Sequence, residues 1–158
     1  MNHKKVSALK PLTLAISFLF LITTSAYAEN PFVGHWQTID DSTGEPRSII
    51  KIQQEGDELT GKIVKLLNPS EENPICDKCS GDKKNQPITG LQILWGLEES
   101  QKNYEWSGGR ILDPENGRTY NTRLRLKSDG QELEVRGFIG FSLLGRTQTW
   151  VKTDFTQD

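Results

Sequence analysis

Alanine is missing from residue 29 onward: Ala8, Ala15, Ala26 and Ala28 are the only four, whereas all 14 glycines follow them. A chain that lacks the best helix former and is rich in turn residues does not build a helical domain. Long apolar runs are lacking too. The extended run Leu12 to Thr24 has 13 residues, short of the roughly 20 that cross a bilayer as a helix, so no integral membrane segment is expected. There is no block of basic residues either. Beyond residue 28, 16 Lys and Arg stand against 21 Asp and Glu, a net charge of −5. That balance argues against nucleic acid or an anionic membrane as partner, because phosphate binding needs clustered cations. Histidine and cysteine are scarce: past residue 28 there are only His35, Cys76 and Cys79. A structural zinc site takes four ligands, and neither a metal nor a cofactor is expected.

What is present at the start reads as an address. Lys4, Lys5 and Lys10 form a basic opening, the apolar run follows, and Ala26-Tyr27-Ala28 is a small-x-small cleavage site. This is the pattern of a secretory signal peptide spanning residues 1–28. Residue 29 is Glu, not the cysteine of a bacterial lipoprotein. The expected product is a secreted protein, periplasmic in a diderm bacterium, in an oxidising space. Its remaining 130 residues suit one domain, since a chain of that length buries roughly two thirds of its unfolded surface in one core.

Eight runs rich in Ile, Leu, Thr, Tyr and Trp then recur between Gly, Pro, Asp and Asn clusters: Phe32 to Ile39, Arg47 to Gln53, Glu58 to Leu67, Leu91 to Leu97, Asn103 to Leu112, Arg118 to Lys127, Gln131 to Phe138 and Gly145 to Thr153. Asp129-Gly130 favours a two-residue type I′ turn. That turn sets Lys127 opposite Glu132 and Arg125 opposite Glu134 on one face, with Leu126 opposite Leu133 and Leu124 opposite Val135 on the other. A one-sided sheet requires this division, and a slip of one residue inverts both faces. Arg123 opposite Arg136 is the one unfavourable pair. Carried back through a five-residue loop, Asp113 to Gly117, the same parity sets Trp106 against Leu124, Tyr104 against Leu126 and Arg110 against Tyr120, all pointing inward. Eight mostly antiparallel strands avoid exposed edges by closing into a barrel, whose interior holds packed side chains or one small ligand.

The one long connection, residues 68–90, carries three prolines and both cysteines; loops of this length in compact domains are usually functional or disordered. Cys76-Asp77-Lys78-Cys79 has three readings. A disulfide staple is the simplest in an oxidising space; a redox pair wants the first cysteine at a helix N-terminus; a metal site needs further ligands. His35 alternates with Trp36 and is expected on the surface, with a general base as the sharper alternative. No nucleophile elbow or phosphate-cradling loop occurs, Ser142 falling in a turn with apolar tip residues, so no catalytic residue is assigned. Asp113, Glu115 and Asn116 read as turn chemistry rather than a calcium loop. Arg110 is the sharpest functional candidate. An inward guanidinium must be paired, either with an internal carboxylate or rim water, or with the carboxylate or phosphate of a ligand. Tyr104, Trp106, Tyr120 and Trp150 then complete a ligand-binding wall, or simply fill the core.

Gly34-His35-Trp36 on the first strand resembles the G-x-W signature of lipocalins. With Cys76-x-x-Cys79-x-Gly81, Trp106-x-Gly108-Gly109-x-Ile111-Leu112-Asp113-Pro114, Gly117-x-Thr119-Tyr120, Arg136-Gly137-Phe138-Ile139-Gly140 and Gly145-Arg146-Thr147-Gln148-Thr149-Trp150, the chain resembles the bacterial family called domain of unknown function 2147. The resemblance implies a small secreted or periplasmic protein with an all-β, eight-stranded, lipocalin-like (calycin-type) barrel, and no established activity. By the lipocalin comparison, Gly34 and Trp36 are structural, Trp36 plugging the closed end against a cation from the last strand. Arg146 and Lys152 share the parity of Trp150 and are the candidates, at about 0.5 to 2 kcal/mol for a cation over an indole. The long loop follows the third strand, not the first as in typical lipocalins, so no lid is carried over. Three functions are therefore open: a non-enzymatic binder of a small hydrophobic or amphipathic ligand, an envelope interaction protein with a filled barrel and an apolar patch at Phe141, Leu143 and Leu144, or a thiol-disulfide protein using Cys76 and Cys79.

Overall fold

The structure, a computed structural model, describes residues 29–156 apart from Glu71 and Ser142. The signal peptide expected over residues 1–28, and the turn expected at Ser142, lie outside the described residues. Eight strands run in chain order: β1 (Gly34–Ile39), β2 (Pro46–Glu55), β3 (Glu58–Leu66), β4 (Gln92–Glu99), β5 (Glu105–Asp113), β6 (Arg118–Leu126), β7 (Glu132–Phe138) and β8 (Gly145–Thr153). Each neighbour pair is antiparallel and β8 returns to β1, so the sheet closes into a barrel. All eight lie within two residues of the expected bounds, because alternation and turn residues mark strands strongly.

The β6–β7 pairing is the expected one: Leu124 lies opposite Val135, Leu126 opposite Leu133, Arg125 opposite Glu134 and Arg123 opposite Arg136. The turn type is not. A type I′ turn needs positive φ at both central residues, whereas here Gly130 alone has it, at 69°, and its N–H donates to the Lys127 carbonyl. Register survives because the Lys127 N–H still donates to Glu132 O. On the outer face the ion pairs join direct register partners, Arg125 with Glu105 on β5 and Lys127 with Glu132, and Lys127 adds a diagonal contact to Glu134. Arg125 reaches the buried Glu105 carboxylate at 2.9 Å.

The β5–β6 register changes partway. Trp106 lies opposite Leu124 as expected, but Gly109 lies opposite Thr122 and Ile111 opposite Tyr120. Three steps on β5 match two on β6, so Ser107-Gly108-Gly109 holds a β-bulge. Gly108 bends there at φ +83°, and a side chain on Gly109 would meet Leu97 Cγ at 2.5 Å. Beyond the bulge the faces are exchanged, so Ile111 turns inward and Arg110 outward.

Strand direction gives the barrel two different ends. One end gathers the β2–β3, β4–β5 and β6–β7 turns with both termini of the domain, and it is filled: Trp36, Ile52, Leu59, Leu97, Leu124 and Leu133 are fully buried. Trp36 donates its indole N–H to Phe32 O at 2.8 Å, and Phe32 stands edge-on to Trp106. The other end gathers the β1–β2, β5–β6 and β7–β8 turns and the long loop after β3.

Candidate ligand-binding site

At that second end the barrel is hollow. A cavity of about 1090 Å³ reaches down from the mouth, close to the upper end of the range for small-molecule sites. Its deep wall is aliphatic and aromatic: Ile50, Ile63, Ile93, Ile111, Val135 and Trp150. These fall where period-two alternation points side chains inward. The polar groups among them are neutral. Thr38 Oγ1 and Ser48 Oγ lie 2.8 Å apart and satisfy each other, and Gln148 accepts from the Trp150 indole N–H at 3.3 Å.

Among the described residues, the charged groups of the cavity lie at its rim. Arg47 is held between Asp40, at 3.4 Å, and Glu115, while Arg146 pairs with Asp41. Asp40 also accepts hydrogen bonds from the Ser42 hydroxyl and from the Ser42 and Thr43 N–H groups. These bonds, led by the Ser42 hydroxyl, lower its carboxyl to about pKa 2. The cations that could meet an acid at the mouth are therefore largely engaged with the protein's own carboxylates.

The long loop forms one side of the mouth. Cys76 and Cys79 form a disulfide with both residues buried. Cys76 Sγ lies 3.6 Å from Pro114 O, and the Lys78 carbonyl presses on Gly117 in the β5–β6 turn. The disulfide thus fastens the loop against that turn, with Pro74, Ile75, Asp77 and Lys78 facing the cavity. Burial withholds the sulfurs from the exposed, thiolate-stabilising setting that redox cysteines occupy.

The expected ligand residues divide. Tyr120 and Trp150 line the cavity. Trp106 is buried in the filled half instead. Tyr104 does not point inward: it is 66 % exposed, in a left-handed turn conformation (φ 58°) just ahead of β5. Arg110 is exposed on the outer face, opposite Trp95 and Asn121, because the bulge reverses it. The cation over Trp36 is Lys152, its Nζ 5.4 Å from the ring and 3.2 Å from Pro31 O; Arg146 stands at the opposite end. Gly34 opens β1 at φ +133° beside the Lys152 stem. Sequence reasoning missed Ile63, Ile93 and Ile111 as wall and Arg47 as the centre of the rim. For Ile111 the signal was present, since paired glycines inside a strand mark a bulge.

Other chemistry is not assembled. His35 packs against the Phe155 ring on the outer face, and burial, then Lys51, push its pKa down. Asp113 accepts from Glu115 N–H and Asn116 Nδ2, as turn chemistry requires. Among the described residues no group of three His, Cys, Asp or Glu is placed to hold a metal, and no helix is long and apolar enough to cross a membrane.

A closed eight-stranded barrel with a tryptophan-plugged floor and a hollow mouth is a lipocalin-like fold. It is similar to a solved structure, protein HP1028 from the human pathogen Helicobacter pylori, described as belonging to the lipocalin family: 18 % identity, 77 % of this chain and 82 % of that one covered, TM-score 0.67. No curated protein matches significantly. Residues 34–152 match the family described as "Uncharacterized protein conserved in bacteria (DUF2147)", and the chain belongs to that family.

Proposed function

We propose that this protein is a non-enzymatic, extracytoplasmic binder of a small amphipathic or lipid-like molecule, which enters between the β1–β2 turn, the β5–β6 turn and the stapled loop. The observation that carries the reading is the contrast between the two halves of one barrel, one filled by buried side chains and the other a cavity of about 1090 Å³ with an aliphatic and aromatic deep wall and a charged rim. Apolar wall with few oriented polar groups is the usual make-up of such a site. A buried disulfide suits an oxidising compartment, in keeping with a signal peptide cleaved after Ala28 and a periplasmic address in a diderm bacterium.

Trp150 supplies the assay. The full-length chain is expressed in a diderm host, the processed protein is purified without detergent, and an uncharged long-chain alcohol is titrated against tryptophan fluorescence. Saturable change in the wild type, much reduced in Trp150→Phe, is expected; a flat titration and no extractable small molecule would count against binding. An interaction role has one specific observation in its favour, the exposed apolar tip of the β7–β8 turn (Phe141, Leu143 and Leu144). It does not account for the hollow half.

A further inference from the structure

The electrostatics of the mouth bear on which amphiphile enters, an inference that rests on the binding role just proposed. Arg47 is bonded to Asp40 and Glu115, and Arg146 to Asp41. Of the remaining charged groups facing the cavity among the described residues, Glu45, Asp77 and Asp113 are acidic and Lys78 alone is basic. Among the described residues, the Glu45 and Asp77 carboxylates have no hydrogen bond or ion pair. The Asp113 carboxylate bonds within its own turn. Deeper in, none of the described residues lining the wall is charged, the bulge at Gly108 having put Ile111 where Arg110 was expected.

An acid entering this cavity would give up water for its carboxylate and find Lys78 as the only unengaged cation, set among a surplus of acids. An ammonium would meet the exposed Glu45 and Asp77 at the mouth, with its chain on Ile50, Ile63 and Val135. We propose that the cavity selects amphiphiles with a cationic polar end over uncharged ones, and both over free fatty acids.

The test uses three ligands with one tail, dodecylamine, dodecanol and dodecanoic acid, each below its aggregation limit. They displace a neutral fluorescent probe from the processed protein at pH 7. The amine is expected to bind about tenfold more tightly than the acid at ~10 mM ionic strength, with the alcohol between. The gap should shrink to about twofold or less near ~0.5 M salt, as expected of exposed charges in high dielectric. Glu45→Gln with Asp77→Asn should remove most of the gap. Glu98→Gln with Glu99→Gln, at the filled end, should leave it in place and so separate rim charge from net charge. Acid binding as tight as the amine, or an equal gap in both double variants, overturns the charge preference alone. Failure of all three ligands to displace the probe, or of the probe to bind, overturns the binding role and this inference with it.

Discussion

Gly117 is the position where the fold of the mouth can be tested most sharply. It sits at φ +69°, and a Cβ there would lie 2.0 Å from the Lys78 carbonyl oxygen, 2.4 Å from its carbon and 2.9 Å from the Cys79 nitrogen. All three are backbone atoms, and the disulfide prevents them from swinging away singly. Gly130 provides the control: it has the same φ, +69°, and nothing within 4 Å of its Cβ position. Gly130→Ala therefore carries only the left-handed conformational cost, about 1 to 2 kcal/mol. Gly117→Ala carries that cost plus displacement of the stapled loop, a further ~1 to 3 kcal/mol by the scale of overpacking. Urea denaturation followed by tryptophan fluorescence should give a difference of at least ~1 kcal/mol between the variants. The rate at which dithiothreitol reduces the disulfide supplies a second readout. Lifting the loop should expose Cys76 and Cys79 and speed reduction in Gly117→Ala alone. Equal stabilities together with equal reduction rates would show that the loop is not clamped to the β5–β6 turn.

Two further outcomes follow from the ends of the barrel. Lys152→Met removes a cation over Trp36 and a hydrogen bond to Pro31 O, and should cost about 1 to 2 kcal/mol. Arg146→Met breaks an exposed ion pair and should cost under ~1 kcal/mol; the reverse order in thermal denaturation would return Arg146 to the role expected from sequence. Asp40 sets the acid response of the rim. Its carboxyl is lowered from 3.8 to about 2, so the stability it contributes is present above its unfolded pKa and fades as pH falls through about 2. The urea midpoint difference between wild type and Asp40→Ala should hold steady above pH ~5 and narrow toward pH ~2, and a difference unchanged across that range contradicts the assignment.

The barrel was legible because its signals are local and redundant. Turn residues set strand ends, alternation set faces, and the β6–β7 register followed from Lys127, Leu126, Arg125 and Leu124 meeting Glu132, Leu133, Glu134 and Val135. That register survived a wrong turn type, since side-chain pairing constrained it independently. The site was less legible, because parity propagates only through unbroken pairing. Tyr104 lost its expected direction by standing in a left-handed turn outside β5, and Arg110 lost its own to one inserted residue. Which inward residues fill space and which leave it open was not written in any single strand. Trp106 and Trp150 are both inward aromatics, yet one lies in the filled half and the other on the cavity wall, according to height along the barrel.

The bulge at Ser107-Gly108-Gly109 therefore has a chemical consequence as well as a geometric one. With an unbroken register Arg110 would enter the upper barrel beside Tyr120, and its burial would be tolerable only with a bound anion or an internal carboxylate. One inserted residue puts Ile111 there and leaves Arg110 in solvent. The deep wall is thus left without a charge to satisfy. Discrimination falls to the rim, where Arg47 and Arg146 are already bonded to carboxylates. An aliphatic wall selects for an apolar body without regard to sign, and a rim in carboxylate surplus acts on whatever polar group remains at the mouth. The preference proposed for a cationic amphiphile thus follows from a backbone irregularity set by two adjacent glycines, since neither the position of Arg110 nor that of Ile111 is independent of it.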